Sequence, residues 1–197
     1  MNDSYTREND TLVIQRDLTE LDVFVKTFLD ILKQHCNYLV VSGFVSISTG
    51  RTRATEDVDV LVEVPTKELF NHIFSDLISS NFWCFQGDDA DDVYRYVEHM
   101  QNIRFARINE LFPNIELIFI DESKVAQYYE FTHPQTMRIK DFSFKIPPLE
   151  FEILYKELVL KGKKDLEDAL HLRVLFSDIL EKDKFIEIEK IIKEELR

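Results

Sequence analysis

The spacing of the apolar residues switches back and forth along this chain between a helical period and a strand period. That alternation constrains the fold more than any other feature of the sequence. Over residues 18–36, Leu21, Phe24, Val25, Phe28, Leu29 and Leu32 recur every three or four positions, the spacing of one helix face. Thr19 stands where an N-cap belongs, with the acids Glu20 and Asp22 in the first turn. Residues 38–41 and 57–62 are short apolar runs of strand length. Between 65 and 80, Leu69, Phe70, Ile73, Phe74 and Leu77 line one face of a second helix opened by Pro65. Residues 82–86 read as a strand and the acidic stretch 88–100 as helical or irregular. Residues 103–108 and 115–120 read as two adjacent strands. A short helix at 123–131 is followed by two strand pieces within 137–146, broken at Asp141. Pro147 and Pro148 end them, because proline cannot donate to a sheet ladder. The remainder reads as helix over 149–160, 164–176 and 182–196. The order predicts an α/β (α+β) fold with a mixed β-sheet flanked by helices. We divide it into an N-terminal arm at 1–16, a core at 17–146 and a C-terminal helical region at 147–197 that completes the site.

The chain has 197 residues, enough to bury a core without disulfides or a structural metal. Its net charge of −13 argues against nucleic-acid binding over the whole surface, while leaving room for a local basic pocket. Cys36 and Cys84 have neither CxxC nor Cys/His spacing, so they read as reduced residues and not as zinc ligands. The polar start of the chain lacks the apolar run of a signal peptide, and no stretch reaches membrane-spanning length. These features place the expected location in the cytoplasm, away from membranes.

The chemistry concentrates in residues 42–62. A strand has a side-chain period of two, so Asp57 and Asp59 share one face while Val58 and Val60 take the other. Aspartate is depleted in strands, and two carboxylates side by side repel unless a cation lies between them. A divalent metal with oxygen ligands, Mg²⁺ or Mn²⁺, is the simplest such partner. Upstream, Ser42-Gly43 ends a strand, and glycine there lets a phosphate approach the backbone. Arg51 and Arg53 place positive charge beside the carboxylates.

The pattern Ser42-Gly43, then Gly50, Arg53, Thr55 and Asp57-Val58-Asp59, resembles the nucleotidyltransferase superfamily of DNA polymerase beta type. Within it, the segment looks most like the minimal nucleotidyltransferases that include the AbiEii and MenT toxins. That group usually opens the motif with glycine, where this chain has Ser42. A second segment, led by Pro148-Leu149-Glu150, matches the group's later motif through Lys156, Lys161, Lys164, Asp165 and Asp168. The resemblance implies that Ser42, Gly43, Arg53 and Thr55 bind the nucleotide and that Lys156 contacts its phosphates. It further implies that Lys164 and Asp165 brace the site. The superfamily's third carboxylate falls best on Glu116, with Asp121 as the alternative. Asp57, Asp59 and Glu116 would then hold the metal.

What the resemblance implies is transfer of a nucleoside monophosphate from a nucleoside triphosphate to an acceptor hydroxyl, on RNA, protein or a small molecule. An antitoxin-like partner protein would accompany a toxin-type enzyme. The alternative is a non-catalytic nucleotide-binding or interaction module on the same fold. The other features read blandly. Residues 88–92 lack the glycine and closing glutamate of a calcium loop and suit a solvated helix start. His72, His99, His133 and His171 show no ligand spacing. Phe82 and Trp83 read as core, and the apolar face of the last helix as a packing face.

Overall fold

The computed structural model describes residues 4–196. The chain opens with strands β1 (Tyr5–Glu8) and β2 (Thr11–Ile14), followed by helix α1 (Glu20–Leu32), β3 (Leu39–Val40) and the short helix α2 (Gly43–Ser48). Next come β4 (Asp57–Glu63), α3 (Lys67–Ser79), β5 (Phe82–Cys84), α4 (Ala90–Glu98), β6 (Ile103–Arg107) and β7 (Asn114–Ile120). Helix α5 (Val125–Thr132) leads to the hairpin β8 (Gln135–Ile139) and β9 (Phe142–Ile146). The last part is helical: α6 (Leu149–Tyr155), a π-helical turn (Lys156–Leu160), α7 (Lys163–Leu175) and α8 (Lys182–Glu195).

Two mixed sheets result. The larger has the order β3-β4-β7-β6-β5, with β4 and β7 parallel and the other pairs antiparallel. The smaller has the order β1-β2-β8-β9, with β2 parallel to β8. The start of the chain therefore corrects the reading of residues 1–16 as an arm, of which 1–3 lie outside the described residues. Tyr5, Leu12 and Ile14 are buried in the main core, and the strands turn at Asn9 with φ 53°. A two-residue connection with a positive φ is the ordinary hairpin geometry, and asparagine tolerates it well.

One face of the larger sheet carries the aromatic core. Phe28 of α1 meets Phe82 edge-on at 5.3 Å and Phe105 at 5.8 Å, and Phe74 of α3 reaches Phe105 at 6.0 Å. Val58, Val60 and Ile115 lie in the same core, which commits Asp57, Asp59 and Glu116 to the other face by strand alternation. Phe82 is core as expected; Trp83 is not, because the alternation that buries Phe82 and Cys84 turns Trp83 outward.

The start of α1 follows its sequence closely. Thr19 caps the helix, and Asp22 returns the bond to the Thr19 backbone, completing a capping box. Asp22 is fully buried and binds Arg16 through both carboxylate oxygens, at 2.5 and 2.8 Å. Burial alone would raise its pKa, but the Arg16 and Thr19 hydrogen bonds outweigh it and hold the group below the usual carboxylate range. At α3 the cap is Thr66, one residue after the expected Pro65 start. Among the described residues no helix is long and apolar enough to cross a membrane.

Replacing Phe28 by alanine should cost about 3–5 kcal/mol, against about 1 kcal/mol for Thr19→Ala. Urea unfolding of both variants beside the parent chain checks the ranking. Equal losses would mean that the aromatic cluster is not the main anchor of α1.

Candidate active site

The parallel register of β4 and β7 sets Asp59 directly beside Glu116 and Asp57 beside Asn114. Asp57, Asp59 and Glu116 each offer a carboxylate oxygen, and these oxygens lie within 4.8 Å of one another. All three residues are half-buried. Glu116, and not Asp121, is therefore the third member of the cluster. Asp121 accepts from the backbone N–H and the hydroxyl of Ser123 and caps the turn after β7.

The cluster is braced from β6. Arg104 lies opposite Glu116 in the antiparallel register and donates to its Oε2 at 2.9 Å, while Asn102 donates to its Oε1 at 3.0 Å. Arg104 also stands 3.9 Å from the Asp57 carboxylate. Neither brace was singled out in the sequence. The signal for Arg104 was a charged residue alternating with Ile103 and Phe105 on a strand; its partner became visible only through register.

Burial raises the pKa of Asp59 to about 6, and the charges of Asp57 and Glu116 push the same way. A hydrogen bond from the Ser42 hydroxyl works against them. A divalent cation fits this donor set: three oxygen ligands of a hard type, with more negative charge than the protein neutralises by itself.

Ser42 joins β3 to α2 with φ 64° and ψ −131°, a region that costs a side-chain-bearing residue about 1–3 kcal/mol. This is the position at which the related motif has glycine. The strain is held from below, where the Ser42 N–H donates to Glu152 Oε2 at 3.3 Å. Glycine is needed next door for another reason: a Cβ on Gly43 would lie 2.9 Å from the Arg53 guanidinium, which packs against it.

Arg53 is fixed in turn by Asp168. This fully buried carboxylate accepts from Arg51 Nε and Arg53 Nη1, and from Lys156 Nζ at 3.3 Å. Arg51 also bonds Glu167 at 2.9 Å. Lys156 begins the π-helical turn, is fully buried, and lies 3.1 Å from Glu152 one helical turn before it. Burial works against its charge, but Glu152 and Asp168 outweigh this and hold the ammonium above its usual range.

The sequence-derived residues thus divide into groups. Asp57, Asp59 and Glu116 form the cluster, with Ser42, Gly43 and Arg53 beside it. Lys156 lies beneath the site, engaged by two carboxylates. Thr55 donates to the Asp57 carbonyl at 2.8 Å and fixes the entry into β4. Lys161 ends the π-helical turn with φ 58° and is exposed. Lys164 is also exposed, and Asp165 folds back over Gly162 in the first turn of α7. The residue of that motif that braces the site is Asp168. Glu152 escaped the sequence reading, although a glutamate four residues before a lysine on a helix was its signal.

No protein-family profile and no curated protein matches this sequence. Among solved structures, the chain is similar to an antigenic nucleotidyltransferase-like protein from Paracoccidioides brasiliensis, with a TM-score of 0.50 and 15% identity. The match covers 91% of each chain. The fold is therefore nucleotidyltransferase-like.

Two outcomes follow from the site. Asp168→Asn leaves three cations short of a buried counter-charge and should cost about 3–5 kcal/mol in urea unfolding. A loss below about 1 kcal/mol would show that the three cations find other partners. For Asp59 the folded pKa of about 6 exceeds the ordinary 3.8. The folded chain holds this proton more tightly, so its contribution to stability is present at low pH and is lost as pH rises toward about 6. Divalent-cation affinity runs the other way, rising with pH and levelling off above about 6, as manganese titration across the range would read.

Proposed function

We propose that this chain is a metal-dependent nucleotidyltransferase that moves a nucleoside monophosphate from a nucleoside triphosphate to an acceptor hydroxyl. The observation that carries the reading is the meeting of Asp57, Asp59 and Glu116 within 4.8 Å on a nucleotidyltransferase-like fold. Mg²⁺ or Mn²⁺ held there would orient the triphosphate and activate the attacking oxygen. The protein's own part is positioning and charge. Asp57, Asp59 and Glu116 supply oxygens on rigid adjacent strands, and Arg104 and Asn102 keep the Glu116 carboxylate aimed. The Ser42-Gly43 turn receives the β- and γ-phosphates. Arg53, packed on Gly43, takes the phosphate-facing role that the motif assigns to lysine. Lys156 acts one layer below, neutralising Glu152 and Asp168 so that the turn and Arg53 keep their places.

A second reading, a nucleotide-binding module without turnover, is favoured by one observation. The Ser42 N–H is taken by Glu152 and the Lys156 ammonium by Glu152 and Asp168, so both are engaged before any phosphate arrives. The toxin-type role, with an antitoxin-like partner in the cytoplasm, rests on motif resemblance. Growth arrest on expression, relieved by Asp57→Asn, would support it.

Calorimetric titration with each nucleoside triphosphate, with and without Mg²⁺, tests the main reading. Binding should require the metal and disappear in an Asp57→Asn/Asp59→Asn double variant. Metal-independent binding with unchanged affinity in that variant would sink the enzyme reading in favour of the module.

A further inference from the structure

The larger sheet carries an aromatic pair on the carboxylate face. Register runs in two rows across the strands. Asp59 lies beside Glu116 and Glu116 beside Arg104; the Arg104 carbonyl accepts from the Phe85 N–H at 2.9 Å. In the next row Asp57 lies beside Asn114, Asn114 beside Ala106, and Ala106 beside Trp83. Neighbours in a row share a face, so Trp83 and Phe85 stand on the same side as the carboxylates. Their rings stack at 4.6 Å with an interplanar angle of 24°, and both residues are partly buried, neither fully covered nor exposed. The Trp83 Nε1–H donates to the Glu110 carbonyl at 3.0 Å, which fixes the indole. Outward positions of a half-covered sheet are ordinarily polar. Here they hold two large rings, held in place and partly open to solvent, on the edge strand next to the site.

Direction follows from the chemistry of the proposed reaction. In an in-line displacement the attacking oxygen and the leaving pyrophosphate lie on opposite sides of the transferred phosphorus. The Ser42-Gly43 turn, where the leaving phosphates would sit, follows β3 on one side of β4, while β7, β6 and β5 lie on the other. The acceptor therefore arrives over β6 and β5. Two strand spacings, about 10 Å, separate Glu116 from the ring pair. Arg104 lies between them with 40% of its side chain exposed and can meet an acceptor phosphate.

We propose that Trp83 and Phe85 form the acceptor platform, on which a nucleobase next to the acceptor hydroxyl stacks, so that the acceptor is a nucleotide or the end of a nucleic-acid strand. This rests on the nucleotidyltransferase reading and adds the acceptor class to it. Stacking accepts any base through its π-face, and one platform with one arginine suits a single terminal nucleotide. It therefore agrees with a chain whose net charge of −13 disfavours a long contact with nucleic acid.

Trp83 is the sole tryptophan in the chain, so its fluorescence reports on the platform directly. The full-length protein with Mg²⁺ is titrated with a single-stranded RNA trinucleotide, with the matching mononucleotide and with ribose 5-phosphate. Saturable quenching by the two base-bearing probes and none by ribose 5-phosphate is the expected result; equal affinity for both points to a nucleotide acceptor and tighter trinucleotide binding to a strand end. Phe85→Leu should weaken binding about tenfold and Phe85→Tyr should restore it. Magnesium-dependent triphosphate affinity, read by calorimetry, should stay unchanged in both variants. Triphosphate binding with no quenching by any probe overturns the platform and leaves the enzyme reading standing. Quenching by the triphosphate, with its affinity lost in Phe85→Leu, assigns the rings to the incoming nucleotide and overturns the acceptor assignment. Quenching by the RNA probe without any magnesium-dependent triphosphate binding overturns the enzyme reading, and the acceptor assignment with it.

Discussion

A single buried carboxylate holds the two ends of this site together. Asp168, on α7, accepts from Arg51 and Arg53 of the loop before β4 and from Lys156 at the end of α6. A carboxylate without water needs compensating charge and hydrogen bonds, and three cations supply both. The cations in turn need Asp168: among the described residues, Arg51 and Arg53 have no other fully buried counter-ion, and Lys156 has only Glu152 besides. The loop that leads into β4 is thereby tied to helices more than 100 residues further on. Arg53 cannot leave Gly43 without abandoning Asp168, so the shape of the Ser42-Gly43 turn is set by a residue more than 100 positions away.

Around that anchor the site accepts two unfavourable features. One is the strained backbone of Ser42, held by a bond from its N–H to Glu152. Strain of this kind persists where surrounding structure leaves the chain no alternative. The other is three carboxylates in one half-buried patch, which raises the pKa of Asp59. Arg104 offsets part of that repulsion through its pairs with Glu116 and Asp57. Both features run against local stability and both lie on the same face of the sheet, as expected where function and packing make opposite demands.

Much of the scaffold was legible in the chain because its signals are local. The three- and four-residue spacing of α1, its Thr19 cap and the alternation of β4 act over a few residues, and the structure follows them. The hairpin at the start was misread because its strands have four residues each and acquire meaning only by pairing with β8. Trp83 was misread for a related reason. A large aromatic residue suggests core, but the parity of its strand is set by Phe82 and Cys84, which the helices cover.

The sequence by itself determined that Asp57 and Asp59 share a face, that Ser42-Gly43 makes a turn ahead of them, and that strands and helices alternate into a mixed sheet. Each of these depends on backbone periodicity or on the conformational limits of individual residues. Only the tertiary structure decided that Glu116 completes the carboxylate patch while Asp121 does not. It alone placed Lys156 beneath the turn and aligned two aromatic rings with the carboxylates. Those outcomes depend on strand register and on pairs more than 100 residues apart, such as Ser42 with Glu152. Such contacts form when distant segments pack on a common core, and no local pattern encodes which side chains then meet.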